Sequence, residues 1–160
     1  MFTNFENMQK RFSGIVNFFF QTTTITVKNR NRLKEFVVNM VHREGAEAES
    51  INYIFCTDRY LLAINRQYLN HDFYTDILTF DMSASSGLLM ADIYISTDRV
   101  KDNAKKLQVP VSDELLRVMF HGVLHLCGYN DKTGPQKMKM RQRENDYIDQ
   151  FKRKMFHVKK

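Results

Sequence analysis

Cysteine is scarce in this sequence: Cys56 and Cys127 are the only two. That excludes a disulfide framework and, alongside nine methionines, fits a reducing cytosol. Long apolar runs are missing too. No window approaches the roughly 20 apolar residues that a membrane-crossing helix needs, so no membrane partner is expected. The opening stretch, "MFTNFENMQKRFSGIVNFFF", does not have the form of a secretory leader. It carries Glu6, and its apolar run 15–20 is short and interrupted by Asn17. The expected location is cytoplasmic. No internal repeat or low-complexity tract is present.

What is there suits a single globular domain. A chain of 160 residues is long enough to bury a core without staples, and 43% hydrophobic with 26% charged residues is ordinary for such a domain. The expectation is one domain over 1–160, with residues 1–13, which lack periodicity, as a loose extension. The formal charge of +6 is uneven. Residues 132–160 hold ten Lys/Arg against three acids, and residues 1–131 hold fourteen against fifteen. The basic end fits a polyanion partner bearing phosphates. It also fits a solvated helix face, and charge alone does not separate the two.

Periodicity places the elements. "GIVNFFFQ" predicts a strand over 15–20. Leu33, Phe36, Val37, Met40 and Val41 fall at helical spacing, with Gly45 as the stop. "INYIFC" predicts a strand over 51–56, and "TDRYLLAINRQYL" a helix capped by Thr57 or Asp58. Residues 70–76 read as a loop. "ILTF" (77–80) and "DIYIS" (92–96) read as an antiparallel hairpin with a mobile link. A short helix, "STDRVKDNAKKLQ", precedes a longer one with Ser112 as the expected N-cap and Gly128 as its end. A last helix covers about 135–156. The order β-α-β-α-β-β-α-α-α implies an α+β (mixed α/β) fold.

The chemistry concentrates in "HGVLHLCGYND", residues 121–131. His121 and His125 lie one helical turn apart, so both imidazoles leave the same face. Two such nitrogens suit zinc. Gly128 tolerates the left-handed conformation that turns a chain sharply, which brings Asp131 back toward them. A third ligand there leaves a fourth position open, the pattern of catalytic rather than structural zinc. Cys127 lies on the other side of the helix at about 100° per residue and reads as a buried reduced thiol. His42 and His157 read as surface residues, while His71, in the loop 70–76, stays a candidate near the site. Zinc peptidases carry a catalytic glutamate directly after the first histidine. Gly122 stands there instead, which turns the reading from peptide toward phosphodiester hydrolysis, with the basic segment holding the nucleic acid strand.

The segment resembles the signature of the YbeY endoribonuclease family, His-Gly-x-Leu-His-Leu-x-Gly-Tyr-Asp-His, departing from it at Asn130 and Asp131. "INRQYLNHDFYTDILTF" (64–80) and "ADIYIS" (91–96) resemble two further family stretches in the same order. The resemblance implies a zincin-like domain with a small, mostly parallel four-stranded sheet, one antiparallel strand and about five helices. It implies a metal-dependent endoribonuclease for single-stranded RNA that matures rRNA, notably the 3′ end of 16S rRNA, and serves ribosome quality control. Its partners would be rRNA and the small subunit or its proteins. His121 and His125 inherit metal-ligand roles, and Asp131 takes the third with a carboxylate, which admits harder ions beside Zn2+. The family arginine associated with RNA cleavage aligns with Leu69. Arg66 and Arg117 are the substitutes in view, with Arg59 behind them, and His121 is counted with the catalytic residues. Thr75, Asp76 and Asp92 match family positions, either as structural ties or as partners orienting a ligating histidine. The alternatives are a zincin-like metallopeptidase and a non-catalytic rRNA-binding assembly factor with a structural metal.

Overall fold

Alternation along the strands decides which side of the sheet is buried. In β2 (Glu47–Cys56) Ile51, Tyr53 and Phe55 face one way, and in β4 (Leu88–Ser96) Leu89, Ala91, Ile93 and Ile95 do the same. All seven are buried, as period-two patterning requires of a core face. The computed structural model describes residues 14–21 and 23–157. The expected loose extension over 1–13 lies outside the described residues.

The sheet has the order β1-β2-β4-β3. β1 (Val16–Phe20) runs parallel to β2, β2 parallel to β4, and β3 (Ile77–Asp81) antiparallel to β4. This is the small, mostly parallel sheet with one antiparallel strand that the family resemblance implied. Five helices among the described residues accompany it: α1 (Arg30–Arg43), α2 (Asp58–Leu69), α3 (Thr97–Leu107), α4 (Val111–Leu126) and α5 (Gly134–Phe156). α1, α4 and α5 meet in an aromatic cluster of Phe36, Phe120, Tyr147 and Phe151. The Tyr53 hydroxyl donates to the Met119 carbonyl at 3.1 Å and ties β2 to α4. None of the described helices is long and apolar enough to cross a membrane.

Three boundaries differ from the sequence reading. β2 begins at Glu47, not 51, and β4 at Leu88, not 92. The added residues pair with each other, Glu47 with Leu88 and Ala48 with Leu89, so backbone pairing extends both strands, in β2 through polar "EAES", which carries no apolar signal. Ser112 is not the N-cap of α4. Pro110 holds that position, and its carbonyl accepts from the amides of Asp113 and Glu114. Ser112 therefore lies inside the first turn. The link between β3 and β4 is tied: the Ser83 amide donates to Asp81 Oδ1 at 2.9 Å, and the Met90 amide to Ser83 Oγ at 3.0 Å.

Gly122 locks α4 onto the sheet. A Cβ there would sit 2.9 Å from Ile77 Cδ1 and 3.1 Å from Ile93 Cγ2. Position 122 therefore faces the core, and any side chain there would have to displace the Ile77 and Ile93 side chains at that helix–sheet contact.

Candidate metal centre

Local rules bring the ligands together. α4 presents His121 and His125 one turn apart. It then ends in a Schellman motif: the Gly128 amide bonds the His125 carbonyl and the Tyr129 amide bonds the Leu124 carbonyl, both at 3.0 Å. Gly128 holds φ at +96°, where a side chain would be strained. The chain reverses and carries Asp131 back over the end of α4. α5 then starts at once, because Thr133 and Gln136 form a capping box.

The result is a triangle of ligand atoms. His121 Nε2 and His125 Nε2 are 3.0 Å apart, and Asp131 Oδ2 is 3.5 Å from each. A tetrahedral zinc ion with bonds of about 2.0–2.1 Å has ligand–ligand edges of about 3.3 Å. The observed edges bracket that value, so two imidazoles and a carboxylate fit one small divalent cation. It is also the one group of at least three His, Cys, Asp or Glu side chains converging within 4.8 Å among the described residues.

Glu144, on α5, completes the arrangement and was missed from sequence. Its Oε1 accepts from His121 Nδ1 at 2.7 Å, and its Oε2 accepts from Arg117 Nη1 at 3.0 Å. A proton fixed on Nδ1 leaves the Nε2 lone pair free to face the cation. Glu144 is only 4% exposed. Burial pushes its pKa up, but the hydrogen bonds from His121 and Arg117 outweigh burial and the net direction is down. Burial likewise disfavours the His121 cation, yet Glu144 and Asp131 reverse that, and its pKa is raised. The signal in the sequence was a carboxylate among Met140, Tyr147, Ile148 and Phe151, the buried face of α5.

Beside His121 lies a cleft of about 120 Å³ lined by Asp76, Glu114, Arg117, Val118, His121, Arg141 and Glu144. Glu114 is buried, its Oε2 has no hydrogen-bond partner, and burial raises its pKa against the pull of Arg117 and Arg141. Arg117 belongs to this cleft. Arg66 does not line it; it pairs with Asp72 on the exposed side of α2. Arg59 is exposed on α2, and Leu69 is half-exposed at the end of that helix. His71 is exposed and stacks on Phe73. Thr75 donates to the Ile77 carbonyl, two residues on. Asp76 lines the cleft while its backbone carbonyl accepts from the Ser96 amide. Asp92 turns away: its neighbour Ile93 meets α4, whereas Asp92 accepts from Asn52 on the opposite face of the sheet. His42 is exposed and pairs with Glu47, and His157 is exposed. Cys127 stays outside the triangle as a free thiol whose pKa burial pushes up to about 11.

The basic end is partly engaged within the fold. Arg143 pairs with Glu44, Arg141 lies near Glu144, and Lys152 pairs with Asp113. Lys132, Lys137, Lys139, Arg153 and Lys154 are exposed.

Comparison with known proteins adds the relationship. Residues 17–152 match the sequence profile of the family described as Endoribonuclease YbeY. A protein of that name from Cytophaga hutchinsonii is 46% identical over 128 residues, 80% of this chain and 90% of its own. One from Flavobacterium psychrophilum is 48% identical over 124 residues, 78% of this chain and 84% of its own. A solution structure of a Thermotoga maritima protein superposes with a TM-score of 0.60, covering 90% of this chain and 93% of that one. At 23% identity it speaks for the fold alone.

Proposed function

The chain belongs to the YbeY endoribonuclease family, and on that premise we propose that it is a metal-dependent endoribonuclease cutting single-stranded RNA during rRNA maturation. The finer assignment is the 3′ end of 16S rRNA, with the small subunit or its proteins as partners in the cytoplasm. The observation that carries the reading is the triangle of His121 Nε2, His125 Nε2 and Asp131 Oδ2, with edges of 3.0, 3.5 and 3.5 Å. These residues would hold one divalent cation, zinc by donor set and size. The carboxylate lowers the net positive charge there and lets harder ions compete.

When bound, the cation supplies Lewis acidity to the phosphodiester and acidifies water. The chain does the rest. Glu144 fixes the His121 tautomer and ring plane, and Arg117 holds Glu144 in place. Arg117 is therefore a positioning residue, acting on His121 through Glu144. The Schellman turn fixes Asp131. Gly122 explains why the peptidase reading loses ground: the residue after the first histidine is a glycine that cannot act as a base, and its position packs against Ile77 and Ile93.

Purified protein incubated with a single-stranded 16S rRNA fragment is expected to cut it, and chelation or His121→Ala is expected to stop the cutting. Cleavage that survives both treatments comes from a contaminating nuclease and defeats the proposal.

A further inference from the structure

Arg141 stands apart from the other arginines around the metal centre. It lies on α5, one turn before Glu144, and lines the same cleft as His121. Its side chain is 55% exposed, against 23% for Arg117. Its nearest acidic contact is Nη1 to Glu144 Oε2 at 3.5 Å, beyond a good hydrogen bond. Glu144 does not need that contact. One of its oxygens already accepts from His121 and the other from Arg117. Arg141 thus brings a full fork of N–H donors to the rim of the cleft, and none of them hydrogen-bonds a described residue.

Charge explains why it stays there. The cleft holds three carboxylates, those of Asp76, Glu114 and Glu144. Glu114 and Glu144 are buried, and the charge of Arg141 acts on both. The acids keep the guanidinium over the cleft without occupying its donors. Without Arg141, Arg117 would be the one arginine among the described residues lining a cleft with three acidic side chains. With it, the rim offers the planar fork that matches phosphate oxygens. Turning it toward an incoming phosphate costs little, because the guanidinium is already more than half exposed and no hydrogen bond is broken.

We infer that Arg141 contacts a phosphate of the RNA strand beside the metal centre. This rests on the endoribonuclease reading, so the test must separate the two. The full chain, loaded with zinc, is titrated into a fluorescently labelled single-stranded oligoribonucleotide over a range of salt, and cleavage is followed in parallel. Arg141→Gln and Arg141→Lys are compared with the unchanged chain, with Lys106→Gln on α3 as a charge-matched control. For Arg141→Gln, affinity at low salt falls roughly tenfold, the scale of one lost charge-assisted contact. The slope of log affinity against log salt flattens by about 0.7, one phosphate's share on a single strand. Arg141→Lys keeps the slope and recovers part of the affinity. Zinc content and melting temperature stay at the level of the unchanged chain.

An unaltered salt slope in Arg141→Gln overturns the inference, as does an equal loss in Lys106→Gln. So does a fall in zinc content, which would place the effect on Glu144 and His121. If the unchanged chain binds the oligoribonucleotide but never cuts it, the nuclease reading fails and the slope still judges Arg141. If it does not bind at all, both fail.

Discussion

Two carboxylates, one buried and one half-buried, flank the turn between α4 and α5. Glu144 lies on one side, bonded to His121 and Arg117. Glu44, at the end of α1, lies on the other, accepting from the Tyr129 hydroxyl at 2.9 Å and from Tyr147 and Arg143. Both carboxyls are held below their ordinary pKa by hydrogen bonds that outweigh burial, and both networks run through α5, which carries Glu144 itself and the Arg143 and Tyr147 that bond Glu44. They differ in what their partners have left to give. The imidazole bonded to Glu144 has a second nitrogen facing Asp131 and His125. The phenols bonded to Glu44 have only their rings, packed under Arg143 and, at Tyr129, Lys139. The same electrostatic device serves a candidate metal ligand on one side and only the fold on the other.

The strongest way to break this comparison is Glu144→Ala. Losing the partner that orients a ligating histidine typically costs ten- to a hundredfold in metal affinity. Zinc affinity, measured by competition with a chelating dye, should fall by about that factor, and RNA cleavage by about a hundredfold. Glu144→Gln should fall less, because the amide oxygen can still accept from His121 Nδ1. Unchanged zinc affinity in Glu144→Ala would make Glu144 a second Glu44.

Glu44→Gln should give the opposite pattern. It removes the charge from three hydrogen bonds in a half-buried site, and bonds to charged groups contribute about 1.5–3 kcal/mol each when lost outright. The amide retains part of the network, so the expected loss is about 2 kcal/mol in urea unfolding of metal-free protein, with zinc affinity within about twofold of the unchanged chain. A large fall in zinc affinity would show that the two networks act as one.

Acid sharpens the distinction further. The folded-state pKa of Glu44 lies below the ordinary 4.5, so folding favours its carboxylate. The stability it contributes is fully present above that ordinary value and is lost as pH falls through the lowered one. In metal-free protein, Glu44→Gln should flatten the decline in stability below about pH 4.5. It should leave the share due to Glu144, which shifts in the same direction. An acid limb identical in the two proteins would mean that Glu44 does not titrate with folding.

The sequence shows one of these networks better than the other, for physical reasons. His121, His125 and Gly128 are legible because a helical turn and a left-handed glycine are local rules. Asp131 follows from the turn. The faces of α1 and the strands follow from periodicity. Glu144 is 23 residues from His121, and its pairing depends on how α5 crosses α4, which no spacing encodes. Its one local trace is a charge on an apolar face. Gly122 reads from sequence as a missing base. Its contact with Ile77 and Ile93, both from other elements, gives it a packing role that is visible only once the sheet is assembled. Glu44 has no trace at all, since its partners Tyr129, Arg143 and Tyr147 come from the far end of the chain.

The finest test is Tyr129→Phe, inside the motif itself. The substitution removes one hydroxyl and keeps the ring that lies under Lys139 at 5.4 Å and Arg143 at 5.9 Å. Glu44 keeps its bonds from Tyr147 and Arg143 on Oε1, and Glu44 and Tyr129 both line a pocket of about 440 Å³. Water can enter there and replace the lost donor, which limits the cost to about 1 kcal/mol. Tyr129 also stands two residues before Asp131, and its hydroxyl is a side-chain anchor between this turn and α1. If that anchor sets where Asp131 points, zinc affinity should fall with stability. If the Schellman bonds of Gly128 and Tyr129 set it, stability should drop while zinc affinity holds. Those backbone bonds survive the substitution, and so does the capping box at Thr133. The expected result is therefore a small loss in urea stability with zinc affinity unchanged, and a parallel fall in both would move Tyr129 from the structural network into the metal centre.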